Sequence, residues 1–298
     1  MKHAKNSKEF AGCFGEPAAA RDARLVFGGL ACDSQSSFRR GCAAAPAHIR
    51  KSYSADCYNS TTESGVDLKS RVADLGDLRD VGNWKKTAAR YESLSRSLFA
   101  AGKAPFFAGG DHAVTIPVAR ALAALGRPVH VVQLDAHPDL YPEYESDRES
   151  HACVATRMLE MQHISSVTQL GIRTMNAIQE ETARRFGERL RTVTAREMES
   201  EIPAPAHIPG DALVYLTLDL DVFDPGFAPG VSHPVPGGLS PRVVLDFLQR
   251  AAWNLVGMDV VELNPRFDQG GRTAVLAGRL LHEAMGSPAA ADARSEFA

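Results

Sequence analysis

The stretch HVVQLDAHPDL, residues 130–140, joins an apolar run to a cluster of potential metal ligands. Val131, Val132, Gln133 and Leu134 have the nearly unbroken apolar character of a strand buried on both faces, the mark of a parallel sheet. Asp135, His137 and Asp139 follow at intervals of two. Side chains alternate along a strand, so residues at that spacing share one side. A single Asp or His often ends a strand. Three at this spacing point to a site at a strand's carboxyl end, where open α/β sheets build theirs.

Two other stretches repeat the arrangement. In GGDHAVTIPV, residues 109–118, two glycines close an apolar strand and His112 stands where a helix begins. In LVYLTLDLDVFDPGFAPGVSHPVPGG, a strand starting at Leu213 ends by presenting Asp219 and Asp221. His112, Asp135, His137, Asp139, Asp219 and Asp221 together offer four carboxylates and two imidazoles, a suitable shell for two divalent cations. An oxygen-rich shell without thiolate suits a fairly hard ion such as manganese better than a structural zinc. The residues alone leave nickel, cobalt and iron open.

Outward from these motifs, strands and helices alternate. The pattern predicts strands at 24–28, near Val72, at 104–108, through DAHPD, and at 166–172, 213–221 and 256–263. Helices are expected from about Pro46, at 84–101, 113–125, from His151, at 177–190, from Ser240-Pro241 to Trp253, and at 272–285; proline is well placed in the first turn of a helix. Residues 202–210, with three prolines, read as loop. Such alternation implies an α/β fold with a mainly parallel sheet covered on both faces. No linker or repeat divides the chain, so a single domain over 23–286 is expected, between a loose arm at 1–22 and a disordered tail at 287–298.

Four motifs carry a resemblance to a known family: GGDH at 109–112, DAHPD at 135–139, LDLDVFDP at 218–225 and VVELNP at 260–265. In this order and spacing the chain resembles the ureohydrolases, the arginase, agmatinase and formiminoglutamase superfamily. The resemblance implies a three-layer α/β/α arginase-like sandwich, two Mn2+ per subunit, and a homotrimer or homohexamer. The six ligands lie at the family's metal positions, Glu262 at that of the carboxylate that fixes the guanidinium, and His151 at that of a proton-shuttling histidine. The run after it, HACVATRM, lacks the usual proline and phenylalanine, and the glycine-rich loop after the first strand is reduced to GGLACDSQSSFRRG. The implied reaction is hydrolysis of a linear guanidino compound to urea and an amine. An inactive regulatory relative and a two-metal phosphoesterase are the competing classes; all six ligand positions are filled, against the first. The ligand motifs hold no Lys or Arg clamp, against the second.

Composition narrows the partners. A net charge of −3 gives no basic footprint for nucleic acid, and no apolar run approaches the length of a membrane span. The N-terminus MKHAKNSKEF has no apolar signal core, and five cysteines without a C-x-x-C pair suit a reducing compartment, so a cytoplasmic protein is expected. Cys153 stands close to His151 but reads as a small buried hydrophobe. Asp111 and Asp224 read as turn or supporting residues, and His130, His163, His207 and His282 as structural; His233, in the loop after Asp221, is placed to line a cleft.

The substrate's tail is read from the loop before His151. YPEYESDRES carries Glu143, Glu145, Asp147 and Glu149 against Arg148. Arginases carry an Asp just after a Gly-Leu/Ile-Arg strand end, where this chain has Gly171-Ile172-Arg173 followed by Thr174. Local negative charge attracts an ammonium tail and repels a carboxylate, so agmatine is expected to outrank arginine, guanidinobutyrate and guanidinopropionate.

Overall fold

Apolar runs rich in valine, leucine and phenylalanine form strands buried on both faces at the centre of the sheet, while the two edge strands are only half-buried. The computed structural model describes residues 10–13, 23–198, 201–202, 207–251, 253–287 and 290. Among these the strands are β1 (Leu25–Ala31), β2 (Val72–Arg79), β3 (Ala104–Ala108), β4 (Val129–Leu134), β5 (Ile164–Ile172), β6 (Leu190–Thr194), β7 (Leu213–Asp219) and β8 (Asn254–Val261). The helices are α1 (Ala45–Ser52), α2 (Trp84–Ala100), α3 (Thr115–Ala121), α4 (Val154–Glu160), α5 (Ala177–Phe186), α6 (Pro241–Arg250) and α7 (Arg272–Met285). None is long and apolar enough to cross a membrane.

The strands form one sheet in the order β2-β1-β3-β8-β7-β4-β5-β6, and every pairing is parallel. Alternate side chains feed two cores. Phe106, Val132, Leu134 and Leu216 join the core beneath α1, α6 and α7, while Phe107, Val131 and Tyr215 join the one beneath α2, α3 and α4. This is the expected three-layer α/β/α sandwich, and the sheet is wholly rather than mainly parallel. Consecutive elements are locally specified: Asn83 caps α2 by accepting from Lys86 N at 3.1 Å, a contact worth about 1 kcal/mol.

Differences from the sequence reading are instructive. Strand β6 is absent from the sequence reading: LRTVT is half-buried and pairs only with β5 at the sheet edge, and the preceding helix, expected to reach Leu190, stops at Phe186. Five residues are too few for periodicity to separate the two states. Part of the arm at 1–22 is not loose: Phe10 is buried, stacks on Phe27 at 4.6 Å, and the next amide, Ala11 N, donates to Tyr53 O at 2.8 Å. The remainder of that arm, most of the tail at 287–298 and part of the 202–210 loop lie outside the described residues.

Candidate metal centre

Four neighbouring strands, β3, β8, β7 and β4, deliver the site from their carboxyl ends. His112 opens a 3-10 turn after β3, Glu262 follows β8, Asp219 ends β7, and Asp135 follows β4. Strand alternation does not align the ligands, contrary to expectation. The chain leaves the strand geometry immediately: Asp221 lies in a 3-10 turn and its N–H donates to Asp219 Oδ1 at 2.9 Å. Asp139 is turned back to the site by a left-handed backbone, φ 50°, and Glu262 has φ 64°. Non-glycine residues in that region cost of order 1–3 kcal/mol and persist where the surroundings over-determine them. Here His137 N donates to Asp135 Oδ1 at 2.6 Å, Ala136 N to Asp221 Oδ1 at 3.0 Å, and Glu262 N to Gly110 O at 2.8 Å.

All six expected ligands converge. His112 Nδ1 lies 3.0 Å from Asp139, 3.2 Å from Asp135 and 3.6 Å from Asp219, while His137 Nδ1 lies 2.8 Å from Asp221. Two trios have ligand atoms close enough to share an ion, His112 with Asp135 and Asp219, and Asp135 with His137 and Asp221. Asp135 belongs to both. The electrostatics agree. Burial and the neighbouring Asp139 and Asp221 push the Asp135 carboxyl up to about 7, and burial, with Asp221 and Asp135, holds Asp219 well above the carboxylate range. Burial alone would lower His112, but the carboxylates of Asp135 and Asp139 beside it outweigh burial and raise it. The cluster is a buried excess of negative charge that attracts a cation.

His112 is also oriented from behind, by residues that the sequence reading did not single out. Buried Asp259 on β8 accepts from Thr217 Oγ1 at 2.6 Å, Tyr215 OH at 2.8 Å and Thr115 Oγ1 at 3.0 Å. The Thr217 hydrogen is thus given to Asp259, leaving its oxygen to accept from His112 Nε2 at 3.0 Å. Nε2 therefore carries a proton, and Nδ1, buried and without a hydrogen-bond partner, faces the cluster. The available signal was polarity in the wrong place: Thr217 and Asp259 interrupt otherwise apolar strands. The donor set and this orphaned nitrogen fit a metal ion.

Glu262 and His151 are brought together beside the cluster. Glu262 Oε1 accepts from His112 N at 2.9 Å and lies 3.6 Å from His151 Nδ1, and Cys42 Sγ approaches Oε2 at 3.5 Å. Burial pushes Glu262 up to about 7 and His151 down to about 4, which leaves this imidazole neutral at pH 7. His151 Nε2 meets Ser37 Oγ at 2.9 Å, and its ring stacks on His233 at 5.1 Å. His233 lies beside the cluster, its ring 6.1 Å from that of His137. Asp111 is buried and accepts from Gln35 N at 2.9 Å; Asp224 accepts from Gly226 N and Gly237 N, so both support loops. Arg173 spends its donors on the carbonyl oxygens of Gly171, Asp221, Val222, Phe223 and Val235 and clamps the loop after β7. His130, His163, His207 and His282 are hydrogen-bonded away from the cluster, to Ser166, Ala119 O, Thr168 and Tyr53.

Residues 23–286 match the model of the arginase family. The chain belongs to the arginase family. Among its relatives in this family, arginase 2 (chloroplastic/mitochondrial) of Arabidopsis thaliana is 38% identical over 86% of this chain and 78% of its own length. Mitochondrial agmatinase of Gallus gallus is 32% identical over 87% of this chain and 79% of its own. Among solved structures, the agmatine ureohydrolase of Thermoplasma volcanium superposes with a TM-score of 0.83 at 29% identity, covering 96% of this chain and 95% of that one. An arginase-family sheet thus carries an Asp/His cluster compatible with metal binding.

Proposed function

We propose that the protein is a metal-dependent amidinohydrolase, working with two divalent cations, manganese first among them, that releases urea from a linear guanidino compound. The observation that carries this reading is the orphaned His112 Nδ1 facing Asp135, Asp139 and Asp219, next to a second trio that shares Asp135. Two cations held there would supply a hydroxide nucleophile near neutral pH. His112, Asp135, His137, Asp139, Asp219 and Asp221 are their proposed ligands.

The remaining steps belong to the chain's own groups. A guanidinium is a poor electrophile because its charge is delocalised, and it must be held flat against the nucleophile. Glu262, anchored by His112 N, offers the planar cation a carboxylate inside a buried site, where charge-assisted paired bonds are strong. The amine leaves only when protonated. Neutral His151, fixed by Ser37 and facing Glu262, is placed to take up a proton and pass it to that nitrogen.

The tail is the finer question. Of the four carboxylates in the acid-rich loop that favour an agmatine tail, one is committed elsewhere: Glu149 is bonded to Arg120 and to Trp84 Nε1, while Arg148 pairs with Glu160. Glu143, Glu145 and Asp147 remain exposed, and Asp147 bonds Gln35 in the loop that also holds Ser37 beside His151. These charges support an ammonium-bearing tail, a requirement that agmatine and arginine both meet and guanidinobutyrate and guanidinopropionate do not. A cytoplasmic homotrimer or homohexamer completes the reading.

The test is urea release from these four compounds by manganese-loaded protein, before and after stripping of divalent ions. Urea from an ammonium-tailed guanidine, lost on stripping and restored by manganese, is the expected result. Full activity in a sample shown metal-free by elemental analysis overturns the reading.

A further inference from the structure

Beyond the metal cluster and the groups assigned to the reaction, the loop after β1 holds an arginine, Arg39, beside the rings that lead to the cluster. Arg39 lies in the loop after β1 with φ 47°. Its carbonyl oxygen accepts from Ser232 Oγ at 2.9 Å and from Asn264 Nδ2 at 2.6 Å, residues flanking His233 and Glu262 in sequence. Its guanidinium carbon lies 4.7 Å from the centre of the Phe38 ring and 4.9 Å from that of Phe267. Both rings are exposed, Phe38 by 51% and Phe267 by 37%, so they cover the guanidinium without being part of the core. Stacking occupies the faces of a guanidinium and leaves its in-plane donors free. Among the described residues no acceptor is bonded to them, whereas Arg40 is bonded to Ser34 O, Arg50 to Asp74 and Arg148 to Glu160.

The position relates to the site through a continuous series of rings. Phe38 is 5.6 Å from His233, which stacks on His151 and approaches His137. A linear substrate whose guanidinium meets Glu262 would extend its other end past His233 toward Arg39. On the same loop, Gln35 bonds Asp147, which ties the loop that carries Arg39 to the acidic loop before His151. The position at which arginases carry an Asp, after the Gly-Ile-Arg run, is Thr174, whose hydroxyl donates to Ala136 O at 3.1 Å.

We propose that Arg39 binds a carboxylate at the far end of the guanidino substrate and thereby selects an amino-acid tail, carrying carboxylate and ammonium together, over a diamine tail. The aromatic pair pre-organises a planar fork whose donors match a carboxylate, and the loop acids face the ammonium. This inference rests on the hydrolase reading for the identity of the guanidino end, but not for the recognition of the tail.

The test separates the two. Ornithine and putrescine carry the tails of arginine and agmatine and are not hydrolysed, so their binding to manganese-loaded full-length protein is measured by calorimetry in the parent, Arg39→Ala and Arg39→Lys. Loss of a charge-assisted pair should weaken ornithine binding about tenfold or more in Arg39→Ala, with Arg39→Lys intermediate, while putrescine binds no more weakly than before. In turnover, Arg39→Ala should raise KM for arginine with little change in kcat, and lower the arginine-to-agmatine ratio of kcat/KM by a similar factor. Equal effects on both ligands, no effect on either, or no binding of ornithine to the parent protein overturns the assignment. If no guanidine gives urea yet ornithine binding depends on Arg39, the reaction is misassigned and the tail site stands. If urea is released with an unaltered ratio, the reaction stands and the tail site falls.

Discussion

At the scale of single residues, the site works because each polar group is held by another. Thr217 touches no proposed substrate, yet its oxygen fixes the proton on His112 Nε2 and so frees Nδ1 for a cation. Thr217→Val keeps the shape and removes that acceptor. Manganese affinity, read by metal titration, should fall roughly 10–100-fold, the usual cost of losing such a support; unchanged affinity would sink the role given to the Thr217–Asp259 pair. His151 and Glu262 make the opposite prediction, because neither is among the proposed ligands. His151→Asn should lower kcat with metal content retained, and Glu262→Gln should chiefly raise KM by weakening capture of the guanidinium. Loss of metal from His151→Asn would make His151 a ligand and refute the shuttle.

At the scale of elements, the loops that end β3 and β8 are locked to each other and to β1. Gly110 O accepts from Glu262 N, and a Cβ on Gly110 would fall 1.7 Å from Cys32 O, a backbone atom just past β1 that also accepts from Asp111 N at 3.0 Å. Gly110→Ala must therefore displace main chain rather than a flexible side chain. The expected cost is about 1–3 kcal/mol, as for other overpacked interiors, together with a loss of activity because His112 and Glu262 both ride on this contact. Urea denaturation and turnover check it, and a variant of parental stability would show that β1 can retreat at no cost. Sequence periodicity reached most of these elements, since long apolar strands and amphipathic helices announce themselves locally. It missed β6 and the docking of Phe10 because both depend on what lies alongside.

At the scale of the whole molecule, stability is coupled to pH through a histidine far from the cluster. His282 on α7 is buried, accepts from Tyr53 OH at 2.9 Å and donates to Ser60 O at 3.1 Å, and burial lowers its pKa. The unfolded chain binds a proton at this position near pH 6.5 while the folded chain resists it, so stability is full above that pH and falls as pH drops below it. His282→Gln should denature at urea midpoints that change less between pH 7.5 and pH 5.5 than the parent's. An identical pH dependence in the two proteins would remove His282 from this role.

Most of the alternation of strands and helices, the six candidate ligand positions, and the kinship of the four motifs were legible in the sequence alone, because apolar period and ligand type are properties of short stretches. Which strand ends stand side by side was not. Only the order β3-β8-β7-β4 brings His112, Glu262, Asp219 and Asp135 together, and only the folded chain shows Glu149 taken by Arg120, Asp259 behind His112, and Arg39 stacked on Phe38 and Phe267. Each of these rests on a partner many residues away. A buried polar group or a surface charge acquires its chemistry from that partner, and the partner is chosen by packing rather than by the local sequence.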